Sequence, residues 1–162
     1  MRAAALLVVA ITGFPAHAQH VHGVARLEVA IDGSKATLVL TVPMQDAVGF
    51  ERAPRDAAEK ARVDDVLAKL GTASARLYEP GGEARCTVAA AEARVEKVGG
   101  GGKHTEVVAR HELACANAAA LRSIAVHAFD VLKRVKRIDA RVAGPRGQAK
   151  GRLTASKREL AW

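Results

Sequence analysis

Two cysteines, Cys86 and Cys115, stand symmetrically about the run Gly99-Gly100-Gly101-Gly102, and this spacing constrains the middle of the chain more than any other feature. Each lies 13 residues from the near end of the glycines. An antiparallel hairpin turning at the glycines therefore sets them side by side, within the roughly 5 to 6 Å between Cα atoms that a disulfide needs. Residues 83–98 are rich in alanine, so a helix competes with a strand there, and the cysteine pairing decides for the strand. Residues 103–116 form its partner. In an oxidising compartment a lone pair of cysteines is most simply one disulfide. A loop of this length stabilises the fold by roughly 3 to 4 kcal/mol in the chain-entropy picture. A reactive or metal-binding pair is the alternative.

Elsewhere the pattern is carried by period-two alternation. Leu27, Val29 and Ile31 alternate with Arg26, Glu28 and Ala30, and Leu38, Leu40 and Val42 resume the rhythm after Asp32-Gly33-Ser34. These two segments, 23–32 and 35–42, read as a β-hairpin. Pro43 ends the second strand and an irregular connection follows. Pro54, Asp56 and Glu59 then suit the start of a helix, Val63, Val66, Leu67 and Leu70 recur at helical spacing, and Gly71 stops it. Helix is expected over about 54–70. The last third reads as strand over 121–127, about two helical turns over 129–135, and strands over 136–142 and 148–154. The expected fold is α+β: a mainly antiparallel sheet with one substantial helix packed on a face.

The N-terminus reads as an export signal. Met1-Arg2 is basic, residues 3–11 are unbroken apolar, and Ala16-His17-Ala18 offers small residues for cleavage after Ala18. The apolar stretch falls well short of the roughly 20 residues that span a bilayer, so no stable membrane anchor is expected. Cleavage leaves residues 19–162 as a single domain, secreted or periplasmic. With only five aromatic residues in the chain, its core must rest on Leu, Val and Ala. The formal net charge is +8, but the basic residues are scattered apart from Lys133-Arg134-Val135-Lys136-Arg137. Export and scatter together argue against nucleic acid as a partner.

Cleavage at that point would make His20 and His22 the second and fourth residues of a new N-terminus. In an extended backbone both imidazoles point to one side. Imidazole nitrogens suit zinc and copper alike, and two of them beside a free amine suit copper at least as well as zinc. Further donors come from His104, His111, Glu51 or Glu112, with Asp46 and Glu106 as other candidates; spacing fixes none of them. His111 shares strand parity with Leu113 and Cys115, which suits a partly buried residue equally well. His127, in an apolar stretch, reads as a hydrogen-bonded structural histidine. Enzyme readings do poorly. No serine has a Gly-x-Ser-x-Gly context, His111-Glu112 lacks the second histidine of a zinc-protease helix, and no Gly-Lys-Ser/Thr follows the glycine run.

The order of these pieces resembles the ZrgA-like family, exported bacterial proteins linked to zinc uptake. The resemblance lies in His20-Val21-His22-Gly23-Val24-Ala25, in Val48-Gly49-Phe50-Glu51-x-Ala53-Pro54, in the cysteine pair around a variable segment, and in Pro145-x-Gly-Gln148. It covers the whole chain after the export signal. It implies a periplasmic zinc-binding protein that helps deliver metal to an importer, an ABC-type component. On that pattern His20 and His22 are ligands, and histidines between the cysteines add capacity. Members often carry a long His/Asp/Glu-rich stretch there, reduced here to the glycines with His104 and His111. The residue after Glu51, often histidine in the family, is Arg52. The contrasting reading is an exported interaction domain that docks a partner protein or envelope polymer.

Overall fold

The computed structural model describes residues 22–72, 77–98 and 104–162. Nine strands and two α-helices follow in the order β1 (Val24–Asp32), β2 (Lys35–Pro43), α1 (Met44–Val48), α2 (Ala57–Gly71), β3 (Tyr78–Pro80), β4 (Cys86–Val98), β5 (His104–Cys115), β6 (Ser123–Val126), β7 (Arg137–Gly144), β8 (Gly147–Leu153) and β9 (Glu159–Ala161). Six strands form one sheet in the order β4-β5-β2-β1-β7-β8, and β3-β6-β9 form a second.

The two hairpins read from the sequence are present. Asp32 pairs with Lys35 across the turn at Gly33, whose φ of 54° favours glycine. Cys86 faces Cys115 directly, and the disulfide holds their Cα atoms 3.8 Å apart, closer than the spacing expected. The glycine turn itself lies outside the described residues.

The expectation of an α+β domain on a mainly antiparallel sheet is corrected. The fold is mostly β, and its larger sheet is mixed, because β1 pairs antiparallel with β2 on one side and parallel with β7 on the other. Local patterning carries no sign of that parallel pairing, since more than a hundred residues separate the two strands. A second correction concerns 129–135, where a 3-10 turn at Ala128–Asp130 replaces the two helical turns. Phe129, Leu132 and Val135 are all buried at a spacing of three, so an apolar repeat with no helix behind it imitated one. The connection after Pro43 contains the short helix α1, and β3 and β9 are additional strands.

One face of the six-stranded sheet is the core wall. Leu27 of β1, Leu38 and Leu40 of β2 and Ile138 of β7, on three neighbouring strands, are fully buried, each worth about 1.5 to 3 kcal/mol relative to exposure. Helix α2 covers β4 and β5 with Val63, Val66 and Leu70. It begins three residues later than expected because Asp56 is its N-cap, accepting the Glu59 N–H at 2.8 Å. Gly71 is its last residue, and a Cβ there would lie 3.0 Å from the Ala93 nitrogen of β4. The second sheet closes the same face: Tyr78 meets His111 of β5, and Leu160 lies over Gly151 of β8. The opposite face of the large sheet carries most of its charged side chains, among them Arg26, Glu28, Arg110 and Arg141, with Glu106 and Val108 of β5 buried on it. Among the described residues no helix is long and apolar enough to cross a membrane.

Candidate functional site

The sheet's registers collect most of the candidate donors at one end. Continuing the pairing of Arg26 with Thr41 and of Pro43 with Glu106 puts Val24 level with Glu106. Two residues back along each strand stand His22, before β1, and His104, the first residue of β5. Their strands are two spacings apart, about 10 Å, a gap that two imidazole side chains can bridge around one ion. The β2–α2 connection, carrying Asp46 and Glu51, caps the same end. His20 and the export signal with its cleavage site lie outside the described residues.

Within this cluster His104 and Glu51 are paired. His104 Nδ1 lies 2.9 Å from Glu51 Oε1, with His104 exposed and Glu51 partly shielded. Fifty-three residues separate the two in sequence, so only the fold reveals them as partners. Glu106, nearly buried on β5, takes both contacts of Arg26, at 3.0 and 3.2 Å. Its charge is thereby matched from within the protein.

Asp46 has a different task. It is buried in α1, and its Oδ2 accepts the Gly23 N–H at 2.8 Å. The Gly23 carbonyl accepts the N–H groups of Lys136 and Arg137 at 2.8 and 3.0 Å. Gly23 is thus clamped from both sides, one residue after His22. Its φ of 78° suits glycine, and a Cβ there would meet Lys136 Cγ at 3.3 Å. The clamp fixes where the chain bearing the histidine pair leaves the sheet.

Arg52 turns away from the donors. Its guanidinium grips both Glu59 oxygens at 2.6 Å and lies 4.9 Å over the Phe50 ring. That hydrogen-bonded grip, helped by the Arg55 N–H, holds the Glu59 carboxyl down at about 2. Arg52 therefore locks the entry to α2. Cations also border the sheet end: Arg134 packs against Gly49, and Lys136 against Gly23. Positive charge so close works against a bound cation.

The remaining candidates stand elsewhere. His111 is seven residues along β5 from His104, roughly 23 Å away, and on the opposite face of the sheet. It is fully buried, with Nε2 donating to the Leu70 carbonyl at 2.8 Å and its ring edge-on to Tyr78 at 5.0 Å. Burial keeps its ring below the usual imidazole range, with the Leu70 bond acting the other way. Glu112 faces the open side beside Arg110, 3.2 Å away. His127 contacts Glu79 and Arg158 by the second sheet, at 3.3 and 3.4 Å, in keeping with the structural role expected of it.

An imidazole nitrogen and a carboxylate oxygen are both donors zinc accepts, and the His104–Glu51 pair offers one of each. Among the described residues no group of three or more His, Cys, Asp or Glu forms a ready cage. Both cysteines are in the disulfide, so neither supplies a thiolate. The geometry is that of an open edge with His104 and Glu51 paired and the backbone clamped at Gly23, one residue after His22. No curated protein matches the chain. The family model described as ZrgA family zinc uptake protein matches residues 19–162. The chain belongs to the ZrgA family of zinc uptake proteins.

Proposed function

We propose that this protein is an exported, non-catalytic zinc carrier of the periplasm, which takes up the ion at the end of the sheet that bears His104 and Glu51, with His22 entering from the start of β1. Residues 1–18 would direct export, and residues 19–162 would act as one domain. His20 and His22 close on the ion from the chain segment held by the Gly23 clamp, while His104 and Glu51 offer donors from the folded edge. The observation that carries this reading is the His104–Glu51 pair, 2.9 Å apart, at the end of the sheet from which His22 departs. Membership of a zinc uptake family supports the identity of the cargo.

An open site bordered by Arg134 and Lys136 holds zinc less firmly than a closed cage of four ligands. That suits a carrier, which must release its cargo to an importer component. Only neutral imidazole ligates, so protons compete with the ion and acid weakens uptake.

Calorimetry on residues 19–162 tests this. Zinc should bind with one-to-one stoichiometry, and His20→Ala/His22→Ala and His104→Ala should each weaken it by at least about tenfold. His111→Leu should not. Absence of binding, or binding indifferent to both sets of substitutions, refutes the assignment. Copper(II) belongs in a parallel titration, since the histidine pair suits it as well.

A further inference from the structure

Strand β4 ends the large sheet, hydrogen-bonded to β5 on one side, and among the described residues no strand pairs with its other edge. A free edge is a row of unpaired N–H and C=O groups that another strand can take, and folded proteins often blunt it with proline or a bulge. β4 carries no proline, and its irregularity between Val88 and Ala90 leaves residues 90–98 in regular pairing. Val95, in that stretch, is the one exposed large apolar side chain among the described residues.

This stretch fits a second copy of itself. Alternate residues share a face of a strand, so Glu92, Arg94 and Glu96 form one row, in which Arg94 holds Glu92 at 2.9 Å and Glu96 at 2.6 Å. Two carboxylates on one guanidinium leave that row short of positive charge. An antiparallel copy with its two-fold axis at Val95 sets Glu96 opposite the partner's Arg94, so each Glu96 is held from both strands. On the other face Val95 meets the partner's Val95 on the axis, which covers the exposed apolar surface. Lys97 comes opposite the partner's Ala93. Gly71, the last residue of α2, lies against the Ala93 backbone, so the lysine arrives at the negative end of that helix's dipole. Moving the axis to Arg94 would set Arg94 on Arg94 and Glu92 on Glu96, like charge on like.

We infer that this protein pairs with a second copy of itself, edge to edge along β4, in antiparallel register about Val95. The two six-stranded sheets become one continuous sheet, through a two-fold contact in which the same surface serves both copies. The contact is short, so the dimer is weak and reversible. This inference does not rest on the zinc assignment.

Sedimentation equilibrium of metal-free residues 19–162 tests this, with circular dichroism to show that each variant is folded. Wild type should pass from monomer towards dimer as its concentration rises to about 0.5 mM. Arg94→Glu and Val95→Lys, both at exposed positions, should each weaken association by about tenfold or more. Adding Glu96→Arg to Arg94→Glu should restore it, whereas adding Glu92→Arg should not. Both native cysteines are held in the disulfide, so a new thiol reports on the contact. Under mild oxidation with diamide, Val95→Cys should form a covalent dimer across the axis and Lys97→Cys should not. A monomer throughout that concentration range overturns the proposal. So does association indifferent to both single substitutions, a loss that Glu96→Arg fails to reverse, or cross-linking at 97 equal to that at 95.

Discussion

The clamp on Gly23 makes a quantitative demand on Asp46. Replacing Asp46 with alanine removes the carboxylate oxygen 2.8 Å from a buried N–H and leaves that donor without its acceptor. A hydrogen bond to a charged group contributes about 1.5 to 3 kcal/mol, and an orphaned buried donor costs about 1 to 3 kcal/mol. These describe the same loss from two sides, so they do not add. Relief of the buried carboxylate's desolvation offsets part of it, giving a net cost of about 2 kcal/mol. Asp46→Asn keeps an oxygen acceptor and should lose about half as much. Urea unfolding at pH 7 reads the global effect as a lower midpoint at unchanged slope. Amide exchange reads the local one, with Gly23 exchanging faster in Asp46→Ala while core amides of β2 change only in step with global stability. Zinc affinity should fall in the order wild type, Asn, Ala, because the chain bearing His22 is less well placed. An alanine variant with an unchanged midpoint and unchanged Gly23 exchange would show that the clamp holds nothing.

Three other outcomes follow from the packing. His111 is buried with Nδ1 unpartnered, and its folded-state pKa lies below the ordinary value of 6.5. The unfolded chain therefore binds the extra proton first, and stability falls as pH drops below about 6.5, by up to about 1.4 kcal/mol per pH unit until the folded ring titrates. Urea midpoints from pH 8 to 5 should show this slope reduced in His111→Leu, and equal slopes would refute it. Gly71→Ala gains about 1 kcal/mol of helix propensity but drives a Cβ to 3.0 Å from the Ala93 nitrogen of β4. Net destabilisation by about 1 kcal/mol is expected from the crowding, and a stabilised variant would mean that α2 and β4 give way freely. Cys86→Ala/Cys115→Ala opens a link between residues 29 apart and should cost about 3.5 kcal/mol by thermal or urea unfolding. A cost below 1 kcal/mol would mean the hairpin holds its ends together unaided.

The parts of this fold legible in the sequence are those that neighbouring residues encode. Alternation in 23–32 and 35–42 with a glycine turn between them specified one hairpin, and the cysteine symmetry specified another. Asp56 and Glu59 marked the start of α2 more faithfully than Pro54 did. The parallel pairing of β1 with β7 was hidden, because it joins distant segments whose patterns would serve equally well as antiparallel neighbours. Strand parity correctly set His111 beside Leu113 and Cys115, on the face that proves to be the core. The proximity of His104 to Glu51 required the register of β5 against β2 together with the path of the connection after Pro43. Asp46 was legible only as a candidate donor, and its bond to Gly23 gives it the separate work of holding the chain next to His22.

Histidine side-chain NMR during a zinc titration of residues 19–162 tests the central claim most directly. The account predicts that the rings of His20, His22 and His104 shift together and saturate at one zinc per chain, while those of His111 and His127 stay in place. If His22 and His104 remain unmoved at saturation, or if His111 is the ring that responds, the zinc site does not lie at this end of the sheet.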